Sequence, residues 1–271
     1  MAGALPEIDL KRLFTLVDNS DISPVILHAP HGSRFIPEEL KGTYLVSASA
    51  MEAEKDLMTD HFTNDLVKSI QNASSLVNGL SRFVVDVERF PDEREEMLAV
   101  GMGAFYTQGS QKQQIRKQQH TTNPVLREFF DAYSDAFTEL VQRTLDIHGR
   151  AVIIDVHSYP TEPLPYELHS HEARPQLDIG ADTTHTSALL VGEVVKAFGY
   201  LGTGINESFH GTYVPLRFYE AKDSRVQSVM LEIRRDTYMD EKSIELFPEG
   251  FSALQESLQQ LVTSLNMGTL R

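Results

Sequence analysis

The chain has 271 residues, 41% hydrophobic and 23% charged, so it can bury a sizeable core. Its formal net charge of -15 argues against nucleic acid and anionic membranes as partners, because both attract clustered positive charge. The absence of cysteine excludes disulfides, thiolate nucleophiles and cysteine-ligated metals, so a bound metal must be held by His, Asp or Glu.

Targeting and membrane signals are also missing from the sequence. Residues 1–10 lack the basic segment and apolar run of a signal peptide, and no window approaches the ~18–20 apolar residues of a membrane span. We therefore expect a cytoplasmic protein. With no linker or internal repeat, we expect one domain over residues 1–271, in a monomer or small homo-oligomer.

Strand-like and helix-like segments alternate along the chain. This pattern predicts a three-layer α/β/α sandwich around a central mixed, mostly parallel sheet. In chain order, the sequence predicts a short helix (9–17), a strand (24–27), a helix (51–70), a strand (82–91), an irregular excursion (97–119), a helix (122–148), a strand (151–160), a short strand (177–180), a helix (186–198), a strand (226–234) and a closing helix (248–265).

Polar groups stand at the end of the strongest predicted strand, residues 151–160. Asp155 and His157 are two residues apart, so on a strand they face the same side. A carboxylate beside a histidine can fix its tautomer and raise its basicity as a metal ligand. A histidine hydrogen-bonded to a neighbour for structural reasons is the alternative interpretation.

A second strand, over residues 24–27, runs into His28 and His31-Gly32. The carboxyl ends of parallel strands border the ligand crevice of α/β sheets, so His31 and His157 are expected to converge there. Two histidines favour a metal site whose third ligand is a carboxylate. Asp60, on the predicted helix 51–70, is a candidate, although taken by itself it is better explained by a solvated helix face.

Two further charged groups end predicted strands. Arg89 can clamp a substrate carboxylate bidentately, or it can pair with a nearby acid such as Asp86. Glu232 lies near the end of a largely apolar strand, where burial raises the pKa of a carboxyl group and suits a general base or acid. A simple ion pair with Arg234 or Arg235 is the alternative for Glu232.

Taken together, the ordered motifs resemble the N-formylglutamate amidohydrolase family, which is in turn similar to the zinc carboxypeptidases. The matching segments cover nearly the whole chain. They are Pro30-His31-Gly32, residues 59–66, residues 82–89, Asp155-Val156-His157-Ser158, Arg174-Pro175, Gly211-Thr212-Tyr213 and the most specific stretch, residues 231–241.

The resemblance implies a zinc-carboxypeptidase-like fold and a zinc-dependent hydrolysis of N-formyl-L-glutamate to formate and glutamate, a reaction of histidine degradation. The substrate would be a small anionic N-acyl amino acid. One zinc ion would be held by His31, His157 and Asp60, with Glu232 as the catalytic base. The substrate would be bound by Arg89, Tyr213 and Arg217.

Three departures from the family patterns leave alternatives open. Family members usually have Asp-x-Asn-Arg, where this chain has Glu88 before Arg89, and two glycines before the tyrosine, where it has Gly211-Thr212. The metal-ligating Glu that follows the first His by three residues in carboxypeptidases is Arg34 here, so His28 or Glu54 could replace Asp60 as ligand. A carboxypeptidase or deacylase with another substrate, or a non-catalytic binding module, remain alternative functions.

Overall fold

A seven-stranded sheet lies at the centre of the fold in the computed structural model, which describes residues 13–121, 123–167, 173–220 and 222–268. The strands of this sheet are β1 (Phe14–Val17), β2 (Val25–Ala29), β3 (Ser74–Asn78), β4 (Ala151–Tyr159), β5 (Leu177–Gly180), β6 (Thr203–Ile205) and β7 (Val226–Arg234). A separate two-stranded ribbon is formed by β8 (Met239–Asp240) and β9 (Glu245–Leu246).

The sheet is mixed and mostly parallel. Its strand order is β1-β3-β2-β4-β7-β5-β6. The four inner strands β3, β2, β4 and β7 are parallel, whereas β1 pairs antiparallel with β3 and β5 pairs antiparallel with β7. The predicted fold class is therefore confirmed, and the carboxyl ends of β2, β4 and β7 lie side by side at one edge.

Helices cover both faces of the sheet. They are α1 (Glu38–Lys41), α2 (Ala48–Met58), α3 (Thr63–Lys68), α4 (Pro124–His148), α5 (Ala188–Ala197) and α6 (Pro248–Asn266). One hydrophobic core joins α2 and α4 to one side of the inner strands, and a second core joins α3, α5 and α6 to the other side. None of the described helices combines the length and apolar character that a membrane span requires.

Local sequence explains the two elements that frame the site. All nine residues of β4 are buried, as expected of an apolar strand with helices on both faces. The Asn123 side chain accepts a hydrogen bond from the Val125 N–H at the start of α4, and Gly149 ends the helix with a φ of 69°. The predictions for β2, β4, β5, β7, α4, α5 and α6 are confirmed to within a few residues.

The predicted helix over residues 9–17 is wrong where the structure describes it. Residues 14–17 form β1, which pairs with β3 at the edge of the sheet. Residues 9–12 lie outside the described part of the chain. A helix of this length would be only marginally stable, whereas the same residues as a strand gain hydrogen bonds to the free edge of β3.

The predicted helix over residues 51–70 is two helices, α2 and α3, with a break between them. Thr59 is extended, and Phe62 has a left-handed φ of 65°. In the break, the Asp60 N–H donates to the His31 carbonyl oxygen at 3.1 Å. A continuous helix would have used that N–H internally, so the break is what brings Asp60 to the end of β2.

The predicted strand over residues 82–91 is also wrong, although its apolar residues are buried. Phe83, Val84 and Val85 are fully buried, but the segment forms turns. The Arg116 guanidinium donates to the Phe83 carbonyl oxygen at 2.6 Å and so replaces a strand partner. The strand in this part of the sheet is β3, which the sequence analysis missed because its first two residues are serines.

Candidate active site

A cavity of about 270 Å³ opens at the carboxyl ends of β2, β4 and β7. Its walls combine acidic, basic and apolar side chains from segments far apart in the sequence. The charged lining residues include His31, Asp60, Arg82, Arg89, His157, Glu232 and Arg235. The polar groups predicted at three strand ends therefore do face a common crevice.

Three candidate metal ligands converge on one point beside this cavity. The Nδ1 atoms of His31 and His157 are 3.3 Å apart. Asp60 Oδ2 lies 3.1 Å from His157 Nδ1 and 3.6 Å from His31 Nδ1. All three residues are buried. Zinc bonds of 2.0–2.1 Å in a tetrahedron put neighbouring ligand atoms about 3.3 Å apart, so these residues fit a zinc ion.

A carboxylate lies behind each of the two histidines, on the side away from Asp60. His31 Nε2 lies 2.9 Å from Asp86 Oδ1, and His157 Nε2 lies 3.2 Å from Asp155 Oδ1. A neutral His31 ring presents its N–H to Asp86, so its Nδ1 lone pair points towards Asp60. His157 Nδ1 is itself within hydrogen-bonding geometry of Asp60 Oδ2, whereas the contact of its Nε2 with Asp155 lacks that geometry. Three electron-pair donors at this separation repel one another unless a proton or a metal cation lies between them. The donor set is therefore one that either a proton or a metal cation can bridge.

Local backbone geometry holds His31 and Asp60 in place. A Cβ atom on Gly32 would lie 2.4 Å from Asn64 Oδ1 and 2.7 Å from Thr63 Oγ1, so only glycine allows the close approach of this turn to α3. The buried Arg235 places its Nη2 3.6 Å from Asp60 Oδ1, and its Nη1 donates to the Leu57 carbonyl oxygen at 2.6 Å.

Glu232 lies beside this cluster. It is the register partner of His157 across β4 and β7, and of Asp178 across β7 and β5. Burial raises the pKa of Glu232 to about 8, while the positive charge of His157 opposes the shift and the negative charge of Asp60 adds to it. Arg234 pairs with Asp236 instead, so the predicted alternative of a Glu232–Arg234 ion pair does not form.

Arg235 is not an ion-pair partner of Glu232 either, since it contacts Asp60 and Ser158. Within the described part of the chain, no hydrogen bond restrains the Glu232 carboxylate. A buried acid that faces a cavity and has a raised pKa is suited to accept and pass on a proton.

Arg89 lines the cavity, but acidic residues already surround it. Its Nε lies 3.4 Å from Asp86 Oδ2, and its Nη1 lies 3.6 Å from Glu95 Oε1. The contact with Asp86 was the alternative interpretation of Arg89. With 24% of its side chain exposed, Arg89 still presents N–H groups to the cavity.

Glu88 lies among three histidines of the site. Its Oε2 lies 3.3 Å from His157 Nε2 and 3.6 Å from His31 Nε2, and its Oε1 lies 3.5 Å from His28 Nδ1. Burial would raise the pKa of Glu88, but the histidines lower it well below its usual value. The negative charge is thus paired with histidines rather than facing Arg89.

The other two predicted substrate-binding residues lie elsewhere. Tyr213 stacks on Phe137 with ring centroids 5.4 Å apart and lines an adjoining cavity of about 400 Å³. That cavity shares Glu88 and Arg89 with the first. Arg217 is exposed, packs over the Phe218 ring, and lines neither cavity.

The alternative ligands of the sequence analysis are engaged in other contacts. Glu54 accepts hydrogen bonds from Ser110 and Gln113, which tie α2 to the irregular excursion. His28 comes within 4.8 Å of Glu88 and Asp155, a second possible group of ligands. However, its two nitrogens already contact Asp155 and Tyr133, at 2.9 and 2.8 Å.

Sequence analysis missed Asp86 and Arg82 as parts of the site. Arg82 lines the cavity and donates to Tyr106 Oη at 3.0 Å and to Asp86 Oδ2 at 3.1 Å, while the Tyr106 hydroxyl donates to the same Asp86 oxygen. Even on a strand over 82–91 the Arg82 and Asp86 side chains would lie on the same face, because they are four residues apart. The buried charges Arg82 and Asp86 within an apolar run were the available signal, because such charges are rarely buried without partners.

Comparison with known proteins identifies the family of the chain. The sequence model of the family described as N-formylglutamate amidohydrolase matches residues 23–239. Among solved structures, the chain is similar to an N-formylglutamate amidohydrolase from Ralstonia eutropha JMP134, with a TM-score of 0.77 and 21% identity over 95% of this chain and 98% of that one.

A gene product from Agrobacterium tumefaciens is also similar, with a TM-score of 0.65 and 16% identity over 95% of this chain and 96% of that one. At these identities the two structures show a shared fold. No curated protein sequence matches the chain. The family match spans most of the sequence and includes every residue of the His31–Asp60–His157 cluster as well as Glu232, and the chain belongs to the N-formylglutamate amidohydrolase family.

Proposed function

We propose that the protein is a zinc-dependent amidohydrolase that cleaves N-formyl-L-glutamate, or a closely related N-acyl amino acid, to the free acid and amino acid. The observation that carries the proposal is the convergence of His31 Nδ1, His157 Nδ1 and Asp60 Oδ2 within 3.6 Å of one another, beside a buried acid in a cavity. Membership of the amidohydrolase family supports the reaction class.

The proposed zinc ligands are His31, Asp60 and His157. Nitrogen and oxygen donors at tetrahedral spacing suit zinc, and three protein ligands leave a fourth position open. When bound, zinc would supply a Lewis acid that lowers the pKa of a coordinated water towards neutrality. Asp86 and Asp155 would orient the two rings from behind through their Nε2 atoms.

Glu232 is the proposed general base and acid. It would take a proton from the attacking water and return it to the nitrogen of the leaving amine as the C–N bond breaks. The water oxygen then remains with the acyl carbon in the product acid. The register pairing of Glu232 with His157, and its lack of a restraining hydrogen bond among the described residues, support this assignment.

Guanidinium groups are the proposed partners of the substrate's negative charges. Arg82, Arg89 and Arg235 all line the cavity. Arg89 is the proposed clamp for a substrate carboxylate, because it is more exposed than Arg82 and Arg235 and carries the bidentate fork that carboxylates favour. The position of Arg217 outside the cavity does not support the role that the family resemblance implied.

A second candidate function is hydrolysis of another N-acyl amino acid or of a short peptide. One observation favours it: the aromatic-lined cavity next to Arg89 offers room beyond that needed by a formyl group. Both candidates use the same chemistry and differ only in the substrate.

Formate release from N-formyl-L-glutamate by the purified protein tests the proposal. We expect activity that a chelator abolishes and that added zinc restores, and we expect the His157→Ala variant to lose it. The matched control is His185→Ala, because His185 is a buried histidine that donates to or accepts from no residue of the cluster and contacts the Val226 carbonyl oxygen at 2.9 Å.

The possible outcomes separate the candidate functions. Turnover of other N-acyl amino acids or peptides in preference to N-formylglutamate would favour the second candidate. Full activity in His157→Ala would contradict the proposed metal site. A protein that binds zinc but hydrolyses neither N-formylglutamate nor any of the other N-acyl amino acids and peptides would be a binding module rather than an enzyme.

A further inference from the structure

A buried histidine lies one layer behind the proposed metal site. His28, at the end of β2, is fully buried. Its Nδ1 lies 2.9 Å from Asp155 Oδ1, and its Nε2 lies 2.8 Å from the Tyr133 hydroxyl of α4. The same Asp155 oxygen lies 3.2 Å from His157 Nε2. A continuous row of polar contacts therefore runs from Tyr133 through His28 and Asp155 to His157.

One further polar group, Glu88 Oε1, lies 3.5 Å from His28 Nδ1, and the other neighbours of the ring are aromatic. The His28 ring packs against Phe137 and Tyr213 at centroid distances of 4.7 and 5.3 Å. An aromatic hydrocarbon side chain would fill such a position without the cost of burying two ring nitrogens. The sequence retains histidine, and both nitrogens have partners, which points to a role for its polar atoms beyond packing.

Proton positions along the row are determined by its two ends. Asp155 is a carboxylate and accepts, so His28 Nδ1 carries the proton and donates to it. His28 Nε2 then has a lone pair, which accepts from the Tyr133 hydroxyl. This arrangement gives both nitrogens of the neutral His28 tautomer a hydrogen-bond partner and restrains Asp155 Oδ1, the oxygen that also contacts His157, by a 2.9 Å contact.

His157 needs that fixed oxygen because two carboxylates compete for its N–H. Its Nε2 lies 3.2 Å from Asp155 Oδ1 and 3.3 Å from Glu88 Oε2, and neither contact has hydrogen-bonding angles. A small rotation of the ring selects one acceptor and at the same time turns Nδ1 towards or away from Asp60. The position of Asp155 therefore decides where the metal-facing lone pair of His157 points.

We propose that His28 is a positioning residue for the metal site. It acts through Asp155 to orient His157, with Tyr133 selecting the tautomer of His28. The inference rests on the proposed function, because it concerns the same metal ligands. His28 itself contacts neither substrate nor metal in this account.

Zinc affinity, measured by competition with a chromophoric chelator, tests the proposal. We compare the wild type with His28→Phe, Asp155→Asn and the double variant. Loss of an outer-shell partner of a metal-ligating histidine typically lowers metal affinity ~10- to 100-fold. We expect a loss of that size in each single variant and no further loss, within about threefold, in the double variant, because the two residues act in series.

Two additional variants keep the test decisive. His185→Phe is the matched control for replacing a buried histidine, and it should lower the melting temperature without changing zinc affinity. If His28→Phe does not fold, Tyr133→Phe replaces it, since it removes one hydroxyl from the end of the row and should lower zinc affinity several-fold. The imidazole ¹⁵N shifts of His157 should then show a mixture of tautomers.

The outcomes distinguish this inference from the proposed function. Zinc binding by the wild type with unchanged affinity in His28→Phe, or in Tyr133→Phe if His28→Phe is unfolded, would overturn the role of His28 alone. Losses that multiply in the double variant would likewise overturn it, because they would show independent action. A wild type that does not bind zinc would contradict the proposed function, and this inference with it.

Discussion

His157 on β4 and Glu232 on β7 are direct neighbours in the parallel register of the two central strands. Both side chains face the cavity at the carboxyl end of the sheet, and both are buried. The two strands share the longest pairing of the sheet, which holds a candidate metal ligand and a candidate base at a fixed separation. Five predictions follow from this arrangement and its surroundings.

Replacing Glu232 by Gln should lower kcat and leave zinc content unchanged. The amide keeps the shape of the side chain but cannot take a proton, and general acid–base groups typically contribute 10²- to 10⁴-fold, so we expect a loss of about that size. Steady-state formate release and elemental analysis of the same preparation measure both quantities. A variant that retains more than about a tenth of wild-type kcat would exclude Glu232 as the base.

The same variant should change the pH dependence of stability in the metal-free protein. Burial raises the pKa of Glu232 from 4.5 to about 8, so the folded state keeps a proton that the unfolded state has lost. This contribution to stability is complete below pH 4.5 and is lost as the pH rises through 8. Glu232→Gln does not titrate and should therefore become more stable than the wild type, by about 5 kcal/mol at pH 9.

Urea unfolding at pH 4, 6.5 and 9 measures this difference. Near pH 4 the two proteins should have similar unfolding free energies. A constant difference over the whole pH range would show that the Glu232 carboxyl group titrates normally in the folded protein.

Zinc binding should release protons. Burial alone would lower the pKa of His157, but Glu88 and Asp155 raise it well above its usual value, so the metal-free protein holds a proton at neutral pH. The ion must displace this proton, and zinc affinity should therefore rise about tenfold per pH unit around neutrality. Calorimetry in two buffers of different ionisation enthalpy counts the protons, and identical heats in both would contradict the expected release.

Replacing Arg89 by Lys should raise KM for N-formyl-L-glutamate about tenfold or more with little change in kcat, because lysine keeps the charge but loses the bidentate fork. Arg217→Lys is the control, since Arg217 is exposed and lies outside the cavity. Initial rates over a range of substrate concentrations separate the two constants. Equal effects of the two substitutions would argue against Arg89 as the clamp.

Replacing Gly32 by Ala should destabilise the protein and weaken zinc binding together. The added Cβ would lie 2.4 Å from Asn64 Oδ1, so the turn that carries His31 must move, at a cost of about 1–3 kcal/mol. Gly42→Ala is the control, because nothing lies within 4 Å of a Cβ at that position. Thermal unfolding measures stability and chelator competition measures zinc affinity. If both quantities were the same in Gly32→Ala as in Gly42→Ala and the wild type, the prediction would be contradicted.

The sequence predicted those parts of the site that depend on local pattern. The strands β2, β4 and β7 are largely apolar, and the polar residues at or near their ends identified His31, His157 and Glu232. Since parallel strands align their carboxyl ends, their convergence followed from the fold class alone.

The rest of the site depends on contacts that local pattern does not encode. Asp60 reaches His31 because α2 and α3 separate at Phe62, whose left-handed backbone is unusual for an aromatic residue. Asp86 reaches His31 because residues 82–91 form buried turns whose carbonyl groups bond to Arg116, a residue from the excursion after them. Here the side chain of a distant residue takes the hydrogen-bonding role of a neighbouring strand. The alternation of apolar and polar residues in the sequence gives no sign of such a contact.

Anomalous diffraction at the zinc absorption edge from crystals of the zinc-loaded protein is the most direct test of the central claim. The account predicts one strong peak within bonding distance of His31 Nδ1, His157 Nδ1 and a carboxylate oxygen of Asp60, on the side of the cavity that Glu232 faces. A peak on the opposite, Nε2 side of these rings beside Glu88, or no peak at all, would contradict it.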